Sequence, residues 1–238
     1  MRVRFLLLLL VMPFVAPLLA YEVKPMIYEL KPSGQGASSV IKTHNTQAKP
    51  ITVELVAERR TFDTAGKESR APADADFVLF PPQAVIPPGV TQSMRVQYVG
   101  PPDIAKSVMY TITVKQVAVK LPADTARGLQ VLFNFSTVAN VVPENAKPKI
   151  DVVSIAPQGE MLRLTLRNSG NKYANLTLSS VKLAGAGYES EIPEADWRKA
   201  LGSGWILPDG TRVIDLPKPK GAPAKELSAR LSYVDPTP

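Results

Sequence analysis

The sequence predicts an all-β protein that is built from two β-sandwich domains. Many short segments alternate between apolar and polar residues, proline and glycine lie between them, and one polar stretch divides them into two sets. The 23 prolines disfavour long helices, because proline lacks the backbone N–H that a helix interior needs. A chain of 238 residues is long enough for two small domains.

The first residues have the organisation of a secretory signal peptide. Arg2 and Arg4 form a basic start, an apolar run follows from Phe5, and apolar residues continue to Ala20 before a polar sequence begins. We expect residues 1–20 to be a signal peptide that is cleaved after Ala20, with an uncleaved N-terminal anchor as the alternative. Removal of the two arginines lowers the formal net charge from +7 to +5.

The composition excludes several classes of protein. The chain has no cysteine and therefore no disulfide framework, which suits a bacterial periplasm better than a small extracellular scaffold. Its modest positive charge is not the dense basic tract of a protein that binds nucleic acid. No segment after the signal is apolar enough to span a bilayer, so we expect no membrane insertion of the mature chain.

The first set of strands is indicated by alternation and by β-branched residues. Residues 51–57 place apolar side chains at every second position, as in a half-buried strand. Residues 63–75 are polar, and we expect them to form a loop. The segment 108–120 is rich in valine, isoleucine, threonine and tyrosine, and it is the clearest strand of the chain.

The second set of strands follows residues 142–149, a polar stretch with two prolines that marks a domain boundary. Residues 162–166 then alternate between leucine and polar partners. The helix-like stretch Pro193–Leu201 has its acidic residues first and its basic residues last, as the helix dipole favours. The predicted domains are residues 21–143 and 149–238.

The residues that enzymes use for catalysis are sparse. His44 is the only histidine and lies in a turn-like cluster, so we do not expect a histidine-based triad. Multi-histidine metal sites are excluded, and cysteine nucleophiles are absent. There is no glycine-rich phosphate loop. We therefore expect a binding protein with no cofactor and no metal, and an exported enzyme remains the weakest alternative.

The strand predicted at residues 129–138 is the most informative segment. Leu129, Val131, Phe133 and Phe135 share one face of it, and the other face mixes polar and apolar residues. It is either an ordinary core strand or a strand that offers large side chains and main-chain hydrogen bonds to another protein.

Further motifs in residues 77–143 support the second interpretation. They are Pro81-Pro82, Ile86-Pro87-Pro88-Gly89, Gln92-Ser93-Met94-Arg95-Val96, Met109-Tyr110, and Leu129-Gln130-Val131 continuing through Pro143. In this order, behind a signal peptide and with two β-domains, they resemble the periplasmic pilus (fimbrial) assembly chaperones. The resemblance implies two immunoglobulin-like β-sandwich domains in an L-shaped or boomerang arrangement.

The resemblance also implies a function. Pilus subunits of that system are incomplete sandwiches, and the chaperone lends them a strand, which is called donor-strand complementation. In this chain the donor residues would be Leu129, Val131, Phe133 and Phe135. The partners would be pilus, fimbrial or coat subunits and an outer-membrane usher in the periplasm, with self-association through the donor edge as a further possibility.

One departure from the family concerns the anchor of the subunit's C-terminal carboxylate. Familiar members use an arginine and a lysine at positions that fall on Met26 and Val138 here, which indicates a divergent or archaic-type branch. Because a carboxylate buried without a partner is costly, another cation is expected. The candidates are Lys24, Lys115 and Arg95.

The main alternative function is a structural pilus subunit, or a surface adhesion module, built of the same sandwiches. Such a subunit should have a free N-terminal extension and lack its own closing strand. Here the sequence is strand-like from Glu22, and the second set of strands runs through Tyr233.

Overall fold

The computed structural model describes residues 20–118, 131–223 and 226–236. Its described residues are mostly β-strand, so the all-β prediction is confirmed. The first ten strands form one sandwich. They are β1 (Glu22–Lys24), β2 (Ile27–Leu30), β3 (Ser38–His44), β4 (Ile51–Phe62), β5 (Glu68–Pro72), β6 (Phe77–Phe80), β7 (Gln83–Ile86), β8 (Thr91–Tyr98), β9 (Val108–Val117) and β10 (Asn134–Val141).

The first sandwich consists of a four-stranded and a six-stranded sheet. The order is β1-β3-β8-β6 in the smaller sheet and β2-β10-β9-β4-β5 in the larger one, where β7 also pairs with β4. The chain changes from one sheet to the other at Pro25, between β1 and β2. Strand β2 pairs with β10 in parallel, whereas β9 pairs with β10 antiparallel.

Alternation along the strands builds the core of this sandwich. The predicted apolar positions of β4 are buried, and they pack with Ile112 and Val114 of β9 and with Met94 and Val96 of β8. The opposite face of the larger sheet carries mainly polar side chains, such as Glu54 and Lys115. Each strand therefore has one core face and one outer face, as a half-buried sheet requires.

The expectation of a loop over residues 63–75 is wrong for its middle part. Residues Glu68–Pro72 form strand β5, which pairs with the end of β4. Charged residues on this edge pair across the two strands: Arg60 binds Glu68, and Arg70 lies near Glu58 and Glu68. A strand that is polar along its length has no apolar alternation, and the sequence pattern therefore missed it.

The remaining strands form the second sandwich. They are β11 (Ile150–Gln158), β12 (Met161–Asn168), β13 (Ala174–Asn175), β14 (Ser179–Gly185), β15 (Tyr188–Glu191), β16 (Trp205–Ile206), β17 (Thr211–Pro217) and β18 (Ser228–Tyr233). The two three-stranded sheets have the orders β11-β12-β17 and β15-β14-β18, and β13 pairs with β16.

The helix predicted near residue 193 is confirmed as α1 (Glu194–Leu201). Its Trp197 and Leu201 are buried in the second core, together with the alternating leucines of β12. The indole N–H of Trp197 donates to the carbonyl of Leu176 at 3.0 Å, which satisfies the one polar atom that this large side chain brings into the core.

A smaller apolar cluster joins the two sandwiches. Met109 and Val142 from the first part of the chain pack there against Tyr173 and Trp205 from the second. The rings of Tyr173 and Trp205 lie 5.6 Å apart between their centroids. The two main cores are otherwise separate, one within residues 21–141 and the other within 162–216.

Candidate functional site

The two halves of strand β10 have different neighbours. Residues 138–141 lie between β2 and β9, and they are paired along both edges. Residues 134–137 pair with β9 alone, because β2 begins opposite Val138. Among the described residues, no strand covers the second edge of this N-terminal half.

The backbone groups that face the open edge follow from the hydrogen bonds of β10. The amide of Val138 donates to the carbonyl of Met26 at 2.8 Å, on the β2 side. The amide of Gln116 in β9 donates to the carbonyl of Phe133 at 3.2 Å, on the opposite side. Because these directions alternate along a strand, the N–H and C=O groups of Asn134 and Ser136 point towards the open edge.

Large apolar side chains precede this edge. Val131 is 47% exposed and Leu132 is 41% exposed, which are high values for side chains of this size. Phe133 and Phe135 are partly buried against the first core, and the ring of Phe135 lies 4.7 Å from that of Tyr21 in an edge-on arrangement. Leu129, the remaining predicted donor residue, lies outside the described residues.

Tyr21 fixes the start of this segment, and the sequence did not single it out. Its hydroxyl donates to the carbonyl of Val114 at 2.6 Å, and it also lies 3.0 Å from the carbonyl oxygen of Phe133. Burial raises the pKa of Tyr21 to about 12, so the hydroxyl keeps its proton. No local pattern marks a tyrosine as the partner of two strands that lie about 100 residues away.

The outer face of the sheet beside the open edge is polar. The hydroxyls of Thr113 and Ser136 lie 2.9 Å apart across β9 and β10. In the next row, Asn134 is the Cα partner of Lys115, whose Nζ lies 2.8 Å from a carboxylate oxygen of Glu54. This face can offer hydrogen bonds and one cation to a bound chain.

The structure separates the three candidates for a carboxylate anchor. Only Lys115 lies in the same sheet as β10 and next to the open edge. Lys24 and Arg95 lie in the four-stranded sheet, on β1 and β8. Lys24 pairs with Glu22 at 3.1 Å, and Arg95 donates to the hydroxyl of Ser38 at 2.9 Å. Both are exposed, as is usual for surface cations.

The backbones of Met26 and Val138 are joined by a hydrogen bond. These are the two positions that the sequence resemblance aligned with the usual carboxylate anchor of the fimbrial chaperones. The side chain of Met26 is exposed, and that of Val138 packs against the cluster between the two sandwiches. Neither side chain can bind a carboxylate.

Lys172 is a buried cation of the second sandwich, close to where the two sandwiches meet. The sequence did not single it out. The ammonium of Lys172 lies 3.0 Å from Glu29 and 3.3 Å from Asp235, and its side chain is almost fully buried. Glu29 also accepts a hydrogen bond of 2.7 Å from the hydroxyl of Tyr173. Burial and this carboxylate raise the pKa of Tyr173. Lys172 thus joins β2 to the end of the second sandwich.

Two further findings concern metal binding and membrane spanning in the described part of the chain. Within residues 20–118, 131–223 and 226–236, no group of three or more histidine, aspartate or glutamate side chains is placed to hold a metal ion. No helix in those ranges has the length and apolar character that crossing a membrane requires.

Comparison with known proteins gives a likeness of fold. No family model and no curated protein matches the sequence. Among solved structures, the class 5 fimbriae chaperone CfaA has a TM-score of 0.58 and 14% identity, covering 90% of this chain and 100% of that one.

Two solved complexes are similar at the same level. The archaic Csu chaperone CsuC with the tip subunit CsuE, from Acinetobacter baumannii, gives a TM-score of 0.53 and 15% identity, with 82% of this chain and 89% of that one covered. The Salmonella enterica chaperone SafB with the pilin SafA gives 0.53 and 14%, with 85% and 86% covered. The chain therefore has the fold of the fimbrial chaperones, as the sequence resemblance implied.

Proposed function

We propose that this protein is a periplasmic chaperone that binds pilus, fimbrial or coat subunits by donor-strand complementation. The observation that carries the proposal is the open edge of β10, where no strand of the described residues pairs with the backbone groups of Asn134 and Ser136 and large apolar side chains lie just before them. An edge of this kind is a hazard for aggregation unless a partner uses it. The shared fold with fimbrial chaperones supports the same conclusion.

Addition of a subunit strand at this edge would be stabilised in two ways. The backbone of Asn134 and Ser136 would gain the hydrogen bonds that β2 supplies further along β10. The side chains of Leu129, Val131 and Phe133 would enter the open core of the subunit, and each fully buried side chain contributes roughly 1.5–3 kcal/mol. Phe135, which already packs against Tyr21, would mark where the chaperone's own core begins.

Lys115 is our preferred anchor for the subunit's C-terminal carboxylate. It lies beside the open edge, whereas Lys24 and Arg95 lie in the other sheet. Glu54 holds Lys115 at 2.8 Å in the free protein, so the carboxylate would have to compete with that pair. The lysine of this pair is half exposed, and exposed ion pairs contribute little to stability. Displacing Glu54 from Lys115 would therefore cost little free energy.

Delivery to an outer-membrane usher requires a second surface that stays accessible when the donor edge is occupied. The outer face of the four-stranded sheet fits this need. Val40, Arg95 and Phe80 lie in one row across three of its four strands, and Phe80 is 67% exposed. Exposed apolar side chains grouped around a cation are typical of a protein-binding surface.

The remaining parts of the proposal follow from this function. We assign residues 1–20 to a cleaved signal peptide, residues 21–143 to the subunit-binding domain and residues 149–238 to the second domain. Catalysis and cofactors have no part in the mechanism, because stronger packing between subunits can drive release.

A second copy of the chain could occupy the same edge in the absence of a subunit. A structural pilus subunit is disfavoured, since the first sandwich contains its own strand β10.

The test is co-expression of this chain with candidate subunits, followed by co-purification from the periplasm. We expect a one-to-one complex that is lost in the double variant Val131→Asp and Phe133→Asp. Val153→Asp is a matched control, because Val153 is a 58% exposed valine on β11 of the second sandwich. Binding that is indifferent to the double variant, or subunits that are soluble without this chain, would overturn the proposal.

A further inference from the structure

The hairpin of β4 and β5 reaches from the first sandwich to the second. Its tip lies against the segment that follows α1 and against the start of β17. The amide of Val213 donates to the carbonyl of Thr64 at 2.8 Å, and the hydroxyl of Ser203 donates to the carbonyl of Gly66 at 3.1 Å. Both hydrogen bonds join parts of the chain that are more than 130 residues apart.

The tip of the hairpin is itself well ordered by hydrogen bonds. The amide of Gly66 donates to the backbone carbonyl of Asp63 at 3.0 Å, and the amide of Lys67 donates to the Asp63 carboxylate at 2.8 Å. Such aspartate-stabilised turns have little freedom. A tip that keeps one conformation can hold the second sandwich in a fixed position relative to the first.

The base of the hairpin is equally constrained. The guanidinium of Arg60 donates to both carboxylate oxygens of Glu68, at 3.0 and 2.6 Å, and it lies over the ring of Phe62 at 5.3 Å. Burial opposes ionisation of Glu68, but the hydrogen bonds and charges of Arg60 and Arg70 outweigh it and lower its pKa. A bidentate pair of this kind fixes both side chains in one geometry.

A buried arginine of the second sandwich completes the contact. The guanidinium of Arg212 donates to the carbonyls of Trp205 and Leu201, at 2.9 and 2.7 Å, and it lies directly against Gly66. Desolvation lowers the pKa of Arg212, and the nearby charge of Asp63 opposes that shift. The carboxylate of Asp63, in the first sandwich, therefore acts electrostatically on this buried guanidinium.

We propose that residues 63–66 form a clasp that locks the second sandwich in one orientation relative to the first, with Gly66 and Arg212 as its positioning residues. Two domains joined by a single linker move relative to each other unless a further interface restrains them. The apolar cluster around Tyr173 and Trp205 restrains them close to the linker of residues 142–149, and the clasp adds a second restraint farther from that linker along the chain. This inference does not depend on the identity of any partner.

Gly66 is the position where the clasp can be tested most sharply. Its φ of +83° favours glycine, and an added Cβ would overlap the guanidinium of Arg212. That group cannot simply swing away, because it is buried and holds two carbonyls. Gly89 is a matched control: its φ is +71°, but an added Cβ there meets no atom within 4 Å.

The experiment measures the distance between the two sandwiches in the full chain by pulsed electron paramagnetic resonance. The protein has no cysteine, so the substitutions Ser93→Cys on β8 and Lys182→Cys on β14 would give two unique sites for spin labels. We expect Gly66→Ala to broaden or shift the distance distribution and Gly89→Ala to leave it as in the parent.

A Gly66→Ala protein that melts cooperatively and gives the parent's distribution would overturn the proposal. If Gly66→Ala does not fold, Ser203→Ala replaces it, because that change removes only the hydroxyl that donates to the Gly66 carbonyl. The distribution should then broaden less but measurably, and an unchanged distribution with Ser203→Ala would overturn the clasp as well.

Discussion

The two halves of strand β10 differ in what covers them, although they belong to one continuous strand. In the C-terminal half, Ala139 and Val141 are fully buried and the backbone is paired with β2 and β9. In the N-terminal half, Asn134 is exposed, and β9 is the only strand of the described residues that pairs with the backbone. One half thus has a strand on each side, whereas the other has one open edge in the described structure.

The difference depends on where β2 begins. The chain crosses from the four-stranded sheet at Pro25, and it joins β10 only from Val138 onwards. A longer pairing between β2 and β10 would have closed the edge. The open edge of about four residues therefore results from the point at which β2 joins the sheet, and substitutions that separate stability from the proposed binding test its role.

The largest expected effect on stability comes from a carboxylate placed in the covered half of β10, compared with one placed just before its open half. Val141→Asp would bury an unpaired charge, so we expect the free energy of unfolding to fall by more than about 4 kcal/mol. Val131 is 47% exposed, so Val131→Asp should change the free energy of unfolding by less than about 0.5 kcal/mol. Urea denaturation measures both, and similar losses would show that Val131 is packed as firmly as Val141.

Proline substitutions test the direction of the backbone groups. Thr137→Pro removes an N–H that faces β9 and leaves a buried carbonyl without its donor, so it should destabilise the sheet by at least about 1–3 kcal/mol. Ser136→Pro removes an N–H that faces the open edge, so it should cost clearly less in thermal unfolding while weakening subunit binding. Equal destabilisation by the two prolines would contradict the assignment of the open edge.

Tyr21→Phe tests the hydrogen bonds that hold the chain just before β10. The change removes the hydroxyl that serves the carbonyls of Val114 and Phe133, and we expect a loss of about 1 kcal/mol. Because folding raises the pKa of Tyr21 from 10.0 to about 12, its contribution is complete below pH 10 and is lost as the pH rises towards 12.

A pH series of unfolding experiments provides the check on Tyr21. The difference in stability between the parent and Tyr21→Phe should shrink between pH 10 and pH 12. Tyr188→Phe is the control, since Tyr188 lies in the second sandwich and has no hydrogen bond to this segment. A difference that stays constant over this pH range would contradict the role of the buried hydroxyl.

The smallest effect on stability is expected from Lys115→Met. The lysine is half exposed in its pair with Glu54, so the free energy of unfolding should change by less than about 0.5 kcal/mol. Subunit affinity should fall at least several-fold and should depend less on salt, because a charge that meets the carboxylate is gone. Unchanged affinity, measured by calorimetry beside Lys24→Met, would move the anchor elsewhere.

The sequence by itself determined the class of the fold and the positions of most strands. Apolar alternation in β4 and β12 records directly which side chains face a core, because side chains alternate between the two faces of a strand. It also pointed to helix α1 and to a strand at residues 129–138, but β10 begins only at Asn134 and continues to Val141. It missed β5, whose charged residues satisfy one another across two strands and leave no apolar pattern.

The tertiary structure alone decided which part of β10 is open, which cation lies beside it, and how the two sandwiches are joined. Each of these depends on a partner far away in the chain: β2 for the edge, Glu54 for Lys115, and Arg212 for Gly66. Local sequence specifies the face that a residue presents, but not the strand that covers its backbone. That second property is set by long-range pairing, which only the folded chain contains.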